Sequence, residues 1–170
     1  MLDLSASLQG AIRLDNALFE ERDLLIGPTA HLQHAVVNAD RALTALFEDQ
    51  SDYQLEKPEK AAEKARQFAR TLHWFLVVSA RLQWTHLIVL SPAQYDQLCG
   101  VEPATELADL DREYLAIKHL FLQSYYTHRQ EDFRHAWHAL LKLGLVDYQL
   151  SEEAVTAALK QLPEEAGLKN

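Results

Sequence analysis

The sequence predicts an all-α fold, an antiparallel helical bundle, and three observations point that way. Apolar residues recur at spacings of three and four along the chain, no stretch alternates apolar with polar for a strand's length, and no internal repeat or low-complexity segment breaks the pattern. Connections between the periodic stretches are short, which sets neighbouring long helices antiparallel. At 170 residues and 48% hydrophobic content, the chain suits one domain, residues 1–170, with a sizeable core.

The opening stretch, LDLSASLQGAIRLDNALFEERDL, puts Leu4, Leu8, Ile12 and Phe19 on one stripe and stops before the breaker pair Gly27-Pro28. Thr29 is placed to cap a second helix, whose stripe of Leu32, Val36, Ala39, Leu43 and Leu46, with Phe47 alongside, faces the core. A more polar side of that helix carries His34, Asn38, Arg41 and Ala45. Glu48 to Glu56 is polar and irregular, after which Pro58 suits the first turn of a new helix. This helix grows into Arg66 to Leu90, RQFARTLHWFLVVSARLQWTHLIVL, the longest apolar run and one without Gly or Pro. From Leu72 to Ser79 it is apolar on nearly every side, as a helix surrounded by other helices is. One side nonetheless collects Gln67, Arg70, Trp74, Val77 and Arg81, aiming two guanidinium groups and an amide at one neighbour.

Ser91-Pro92 reads as the cap and first residue of a short helix through Leu98 that Gly100 closes, with Val101 to Ala104 as a link. Leu107, Leu110, Tyr114, Ile117, Phe121 and Tyr125 mark a long helix to about His128. Phe133, Trp137 and Leu140 mark a further helix, stopped by Gly144. Ser151 caps the last, with Val155, Leu159 and Leu162 inward and Pro163 ending it before a frayed EEAGLKN tail.

The 16 basic and 25 acidic residues leave a net charge of -9, and a pI near 5.3 disfavours nonspecific binding to nucleic acid or to an anionic membrane. Cys99 is the single cysteine, which excludes a disulfide within the chain, and nothing at the start resembles a secretion signal. Arg70 and Arg81 bracket the central apolar run too closely for a bilayer span. The expectation is a cytoplasmic protein with no membrane segment.

Among eight histidines, His31/His34 and His135/His138 are spaced to bring two imidazoles to one ion, but neither pair has an acidic or cysteine partner at a fixed offset. They read as surface or capping residues, and no metal site is expected. No phosphate loop or nucleophile elbow occurs among the five glycines. Trp74/Trp84 and Tyr125/Tyr126 read as core or interface residues in preference to base-stacking ones. Arg41 and Arg70 each follow an amide three residues earlier on a secondary face, and an unpaired buried charge costs several kcal/mol. Two readings stand for them: a structural ion pair with Asp40, Glu63 or a partner chain, or an anion site.

In layout the chain resembles the all-α NTP pyrophosphatase superfamily, in particular the dimeric dUTPase branch related to MazG-type proteins. The opening stretch is similar to that family's first helix, and TLHWFLVVSARLQW to its D-x-L-H-F-L-L-S-x-x-L-E segment. EDFRHAWHALLKLGLVDYQLSEEAVTAALKQ is similar to its last helices, where L-G-[LF]-[ST]-x-E-E leads into an amphipathic helix. The resemblance implies a dUTPase/MazG-like bundle and a homodimer. In active members E-x-x-E on the second helix and E-x-x-D on the central one hold Mg²⁺ for water attack on a phosphate chain, because magnesium takes hard oxygen ligands.

Matched on LHW and VVNADRALTALF, those four positions hold Asn38 and Arg41, then Gln67 and Arg70, flanked by His34, Glu63 and Trp74. No carboxylate stands at any of the four, and two are guanidinium groups that repel a metal. The family's Lys and Trp after helix two are missing from EDQSDY, and its K-N-x-x-N-H ending is present only as Lys160-Gln161. The resemblance therefore implies a degenerate, non-catalytic member that acts by protein contacts or by binding an anion, without a cofactor. Its rivals are an active dUTP or NTP diphosphohydrolase using Mg²⁺ at a non-standard site, and a metal-free nucleotide sensor.

Overall fold

In the computed structural model residues 1–22, 26–48 and 61–168 are described, and among them the regular structure is helical throughout, with no strand. The α-helices are α1 (Leu4–Glu21), α2 (Pro28–Glu48), α3 (Ala61–Arg81), α4 (Pro92–Cys99), α5 (Leu107–Thr127), α6 (Gln130–Lys142) and α7 (Glu152–Glu165). A 3-10 turn, Thr85–Leu87, follows α3, and a π turn, Leu143–Asp147, follows α6. Among the described residues no helix is long and apolar enough to cross a membrane. The irregular segment with EDQSDY beyond Glu48, the proposed start at Pro58 and the last two residues of the tail lie outside the described residues.

α3 is the central element, with α2 packed on it most extensively and α1 and α7 also against it. α5 and α6 form a hairpin that closes on α3 through Phe75, whose ring centroid lies 4.3 Å from that of Phe121 and 6.5 Å from that of Trp137. Each such ring taken fully out of water contributes roughly 1.5–3 kcal/mol. The two buried hydroxyls of α3 are satisfied within the helix: Thr71 donates to the Gln67 carbonyl at 2.9 Å and Ser79 to that of Leu76 at 2.7 Å. A nearly all-round apolar helix thus keeps its few polar groups bonded while buried.

The helical stripes fall where periodicity puts them, and several boundaries do not. On α1, Leu4 and Leu8 are buried with Ala11 and Leu14, while Ile12 and Phe19 are only half-buried. Thr29 is inside α2, not its cap; Pro28 opens the helix, at a position whose missing N–H costs nothing. α3 stops at Arg81, well short of Leu90. Gln83 turns left-handed at φ 60°, its N–H donates to the Ala80 carbonyl at 3.1 Å and that of Trp84 to Ser79 at 2.8 Å. These two bonds are a Schellman ending, which also buries the Trp84 ring.

α6 ends at Lys142, two residues before Gly144, and the chain runs on through it in a π turn. The residue is glycine for packing: a Cβ there would fall within the fully buried Phe68 ring, against Cζ, Cε1 and Cε2. Pro163 likewise lies inside α7, since helical bonding resumes after it, with Ala166 N–H donating to the Leu162 carbonyl at 3.0 Å. Glu164 and Glu165 are therefore helical instead of frayed. Ser91 does cap α4, in a capping box with Gln94, and Ser151 caps α7.

Candidate functional site

α2 and α3 run antiparallel along a seam: Lys64 Nζ donates to the Leu46 carbonyl at 2.9 Å near one end, and the His34 and Trp74 rings meet edge-on, 6.0 Å apart, further along. Asn38 folds back on its own helix, Nδ2 donating to the His34 carbonyl at 2.8 Å and lying 3.0 Å from His34 Nε2. Gln67 keeps its Oε1 buried with no donor among the described residues. Arg41 is exposed and has no ion pair among the described residues. Arg70 turns to α7, with Nε and Nη2 both donating to Glu165 Oε2 at 3.2 and 2.7 Å. The expected partners are used elsewhere, Glu63 with Arg66 and Asp40 with Lys118 at 3.0 Å.

The strip on α3 therefore does not face one neighbour. Val77 is buried, Arg70 reaches α7, and Arg81 reaches α1, where Asp15 is almost wholly buried. Arg81 Nε donates to Asp15 Oδ2 at 3.2 Å, Nη2 donates to the same oxygen and, at 3.1 Å, to Asn16 Oδ1. His31 Nε2 lies 3.0 Å from Asp15 Oδ1 and its ring stacks on Phe19 at 3.5 Å. This network ties α1, α2 and α3 together, and it was missed in the sequence although a carboxylate next to Leu14 in an apolar stripe was its signal. It also separates His31, buried on Asp15, from the exposed His34. His138 is half-buried; burial, then Arg134 and His135, hold its imidazole below the ordinary value. Among the described residues no three His, Cys, Asp or Glu side chains gather to hold a metal.

A second polar cluster pins the π turn to α5. Lys142 Nζ donates to Glu113 Oε2 and to Asp147 Oδ2, both at 2.8 Å, and Asp147 Oδ1 accepts from the Ala104 N–H at 2.7 Å. Burial pushes Glu113 up to about 7, with Lys142 working against the rise and Asp147 adding to it.

Sequence reasoning also missed a cleft. α1 and α7 both rest on α3 but pack little on each other, leaving a cavity of about 590 Å³ between them. Ala6, Gly10 and Leu14 line it from α1, Leu159 and Leu162 from α7, and His73 of α3 closes it. His73 is 5% exposed. Burial drives its pKa down to about 4, opposed by the charge of Asp15, so the imidazole is neutral near pH 7. Its ring meets Trp74 edge-on at 5.0 Å, and its nitrogens make no hydrogen bond among the described residues. Arg13, Lys160 and Asp3 also line the cleft.

Comparison with protein-family models, with curated proteins and with solved structures returns no match to this chain.

Proposed function

We propose that this chain is a non-hydrolytic, dimeric, dUTPase-like member of the all-α NTP pyrophosphatases, whose α2–α3 face serves protein contacts in place of metal-dependent hydrolysis. The resemblance carries the reading: matched on LHW and VVNADRALTALF, Asn38, Arg41, Gln67 and Arg70 fall where that class has four carboxylates. Magnesium needs hard oxygen ligands. Arg70 has no oxygen to offer and is held by Glu165, and the neutral amide oxygens of Asn38 and Gln67 bring no negative charge to offset the metal's. With Arg70 neutralised by a carboxylate, Arg41 lacks a second cation to clamp a phosphate. It stands four residues from Val37, which is 55% exposed, and this mixed apolar and charged patch on α2 suits a second protein surface.

Hydrolysis of dUTP, dCTP and the common NTPs with magnesium is expected to stay at background, and metal-dependent turnover would overturn the reading. Light scattering at micromolar concentration is expected to give a dimer and Val37→Glu a folded monomer; a monomeric parent protein would contradict the contact surface.

A metal-free nucleotide binder is the second reading, favoured by the buried Gln67 Oε1, an acceptor with no donor among the described residues that a base N–H would satisfy. It predicts thermal stabilisation that persists in EDTA, about 2.7 kcal/mol at a hundredfold excess over Kd. No shift across a nucleotide panel would remove it.

A further inference from the structure

We propose that the cleft between α1, α3 and α7 binds a small carboxylic acid with an apolar body and a hydroxyl at its far end, the chemistry of an ω-hydroxyalkanoate. This site is independent of the α2–α3 face and of the reading built on it.

The first support is His73. Its side chain is almost entirely buried, it lines the cleft, and its ring nitrogens have no hydrogen-bond partner among the described residues. The ring nitrogens are not themselves sealed from solvent, so they face the water of the cleft, and a ligand can bond them in its place. A neutral imidazole presents one donor and one acceptor, and a hydroxyl, itself donor and acceptor, complements it. The second support is the wall: a cavity of about 590 Å³ bounded by Leu14, Leu159 and Leu162 is of small-molecule size and rewards an alkyl or similar apolar body.

The third support is charge. Arg13 on α1 and Lys160 on α7 line the cleft from opposite walls, both exposed and without an ion pair among the described residues. The carboxylate of Asp3 is engaged, accepting from the Ala6 N–H at 2.8 Å at the start of α1. Asp3 keeps its charge, so two cations against one carboxylate leave the lining one positive charge in excess, which favours an anionic head in a chain of net charge -9. A nucleotide matches less well, because its sugar and base need polar groups along the walls. Of the two hydroxyls there, Ser7 already donates to the Asp3 carbonyl at 2.7 Å, leaving Thr156.

Calorimetry on the full chain tests this, titrating ω-hydroxyalkanoates of increasing length against the matching alkanoates and neutral alkanols. The hydroxy acid of best length is expected to bind at least about tenfold more tightly than either comparator, as a site built around a hydrogen bond discriminates. Gly10→Leu is expected to abolish binding without loss of thermal stability, since a Cβ at Gly10 meets nothing within 4 Å and the side chain extends into the cleft. Ala6→Leu is the second blocking variant. Arg13→Glu with Lys160→Glu should weaken acids about tenfold and leave alkanols unchanged, while His73→Phe should erase the preference for the hydroxyl and retain alkanoate binding. The proposal is overturned if no acid gives heat, if alkanols bind as well as acids, or if both blocking variants bind like the parent.

Discussion

Replacing Gly144 by alanine adds one methyl group at the most crowded glycine among the described residues. The new Cβ would coincide with the far edge of the Phe68 ring, which is fully buried. The backbone has little room to retreat, because Tyr148 N–H donates to the Leu143 carbonyl at 2.9 Å and Leu150 N–H to that of Gly144 at 3.0 Å. The ring must therefore move within a close-packed core. Overpacking of this kind costs about 3 kcal/mol, the upper end of its usual range. For a chain of this length that lowers Tm by about 6–12 °C, read by circular dichroism with urea unfolding at unchanged m-value. The cycle is the sharper test. Phe68→Leu alone should cost about 1–2 kcal/mol through lost packing, but it removes Cζ, Cε1 and Cε2, the three atoms in the way. Adding Gly144→Ala to it should then cost under about 1 kcal/mol, a coupling of roughly 2 kcal/mol. Additive effects in the double variant, or a single variant melting within about 2 °C of the parent, would refute the packing argument.

Asp15→Ala strips the acceptor from both His31 and Arg81 and is expected to cost about 3 kcal/mol in urea unfolding, with Asp15→Asn milder; a change under about 0.5 kcal/mol would show that the network is not needed. His73 has its folded pKa lowered to about 4 from 6.5, so the unfolded chain takes up a proton that the folded one refuses. Its stabilising contribution is present above about pH 6.5 and lost as pH falls toward 4, on the order of 3 kcal/mol, and His73→Phe should flatten that slope. Glu113 works in the opposite sense: its folded pKa is raised to about 7 from 4.5, so folding becomes less favourable as pH rises through that interval. Glu113→Gln should therefore gain on the parent between pH 4.5 and 7, and parallel stability curves would disprove the burial argument.

Burial of a helix face leaves a local record, which is why Val36, Ala39, Leu43 and Leu46 could be placed from spacing alone. The end of α3 was harder to read because its left-handed residue, Gln83, is not glycine, so the usual punctuation is missing, whereas the end of α5 at His128 was placed from its stripe. Pro163 gave the opposite error, resembling a stop where helical bonding resumes, and Gly144, just past the end of α6, also makes room for Phe68. Of the candidate site, His34 and Trp74, named only as flanking residues, meet edge-on. The partners of Arg70 and Arg81 were not legible, since Glu165 and Asp15 lie 95 and 66 residues away and no local pattern selects them. The cleft was invisible for the same reason: Gly10, His73 and Leu159 become neighbours only after three helices have packed.

Arg70 and Arg81 are separated by roughly 16 Å along α3, and each clasps a different helix. The arrangement is that of a book whose two covers are fastened to one spine by separate catches. The catch on α7 is the wetter, with half of the Arg70 side chain in water, while Asp15 on the α1 side is sealed in. Added salt should therefore slacken the α7 cover first, and amide exchange in α7 should quicken while α1 keeps its protection.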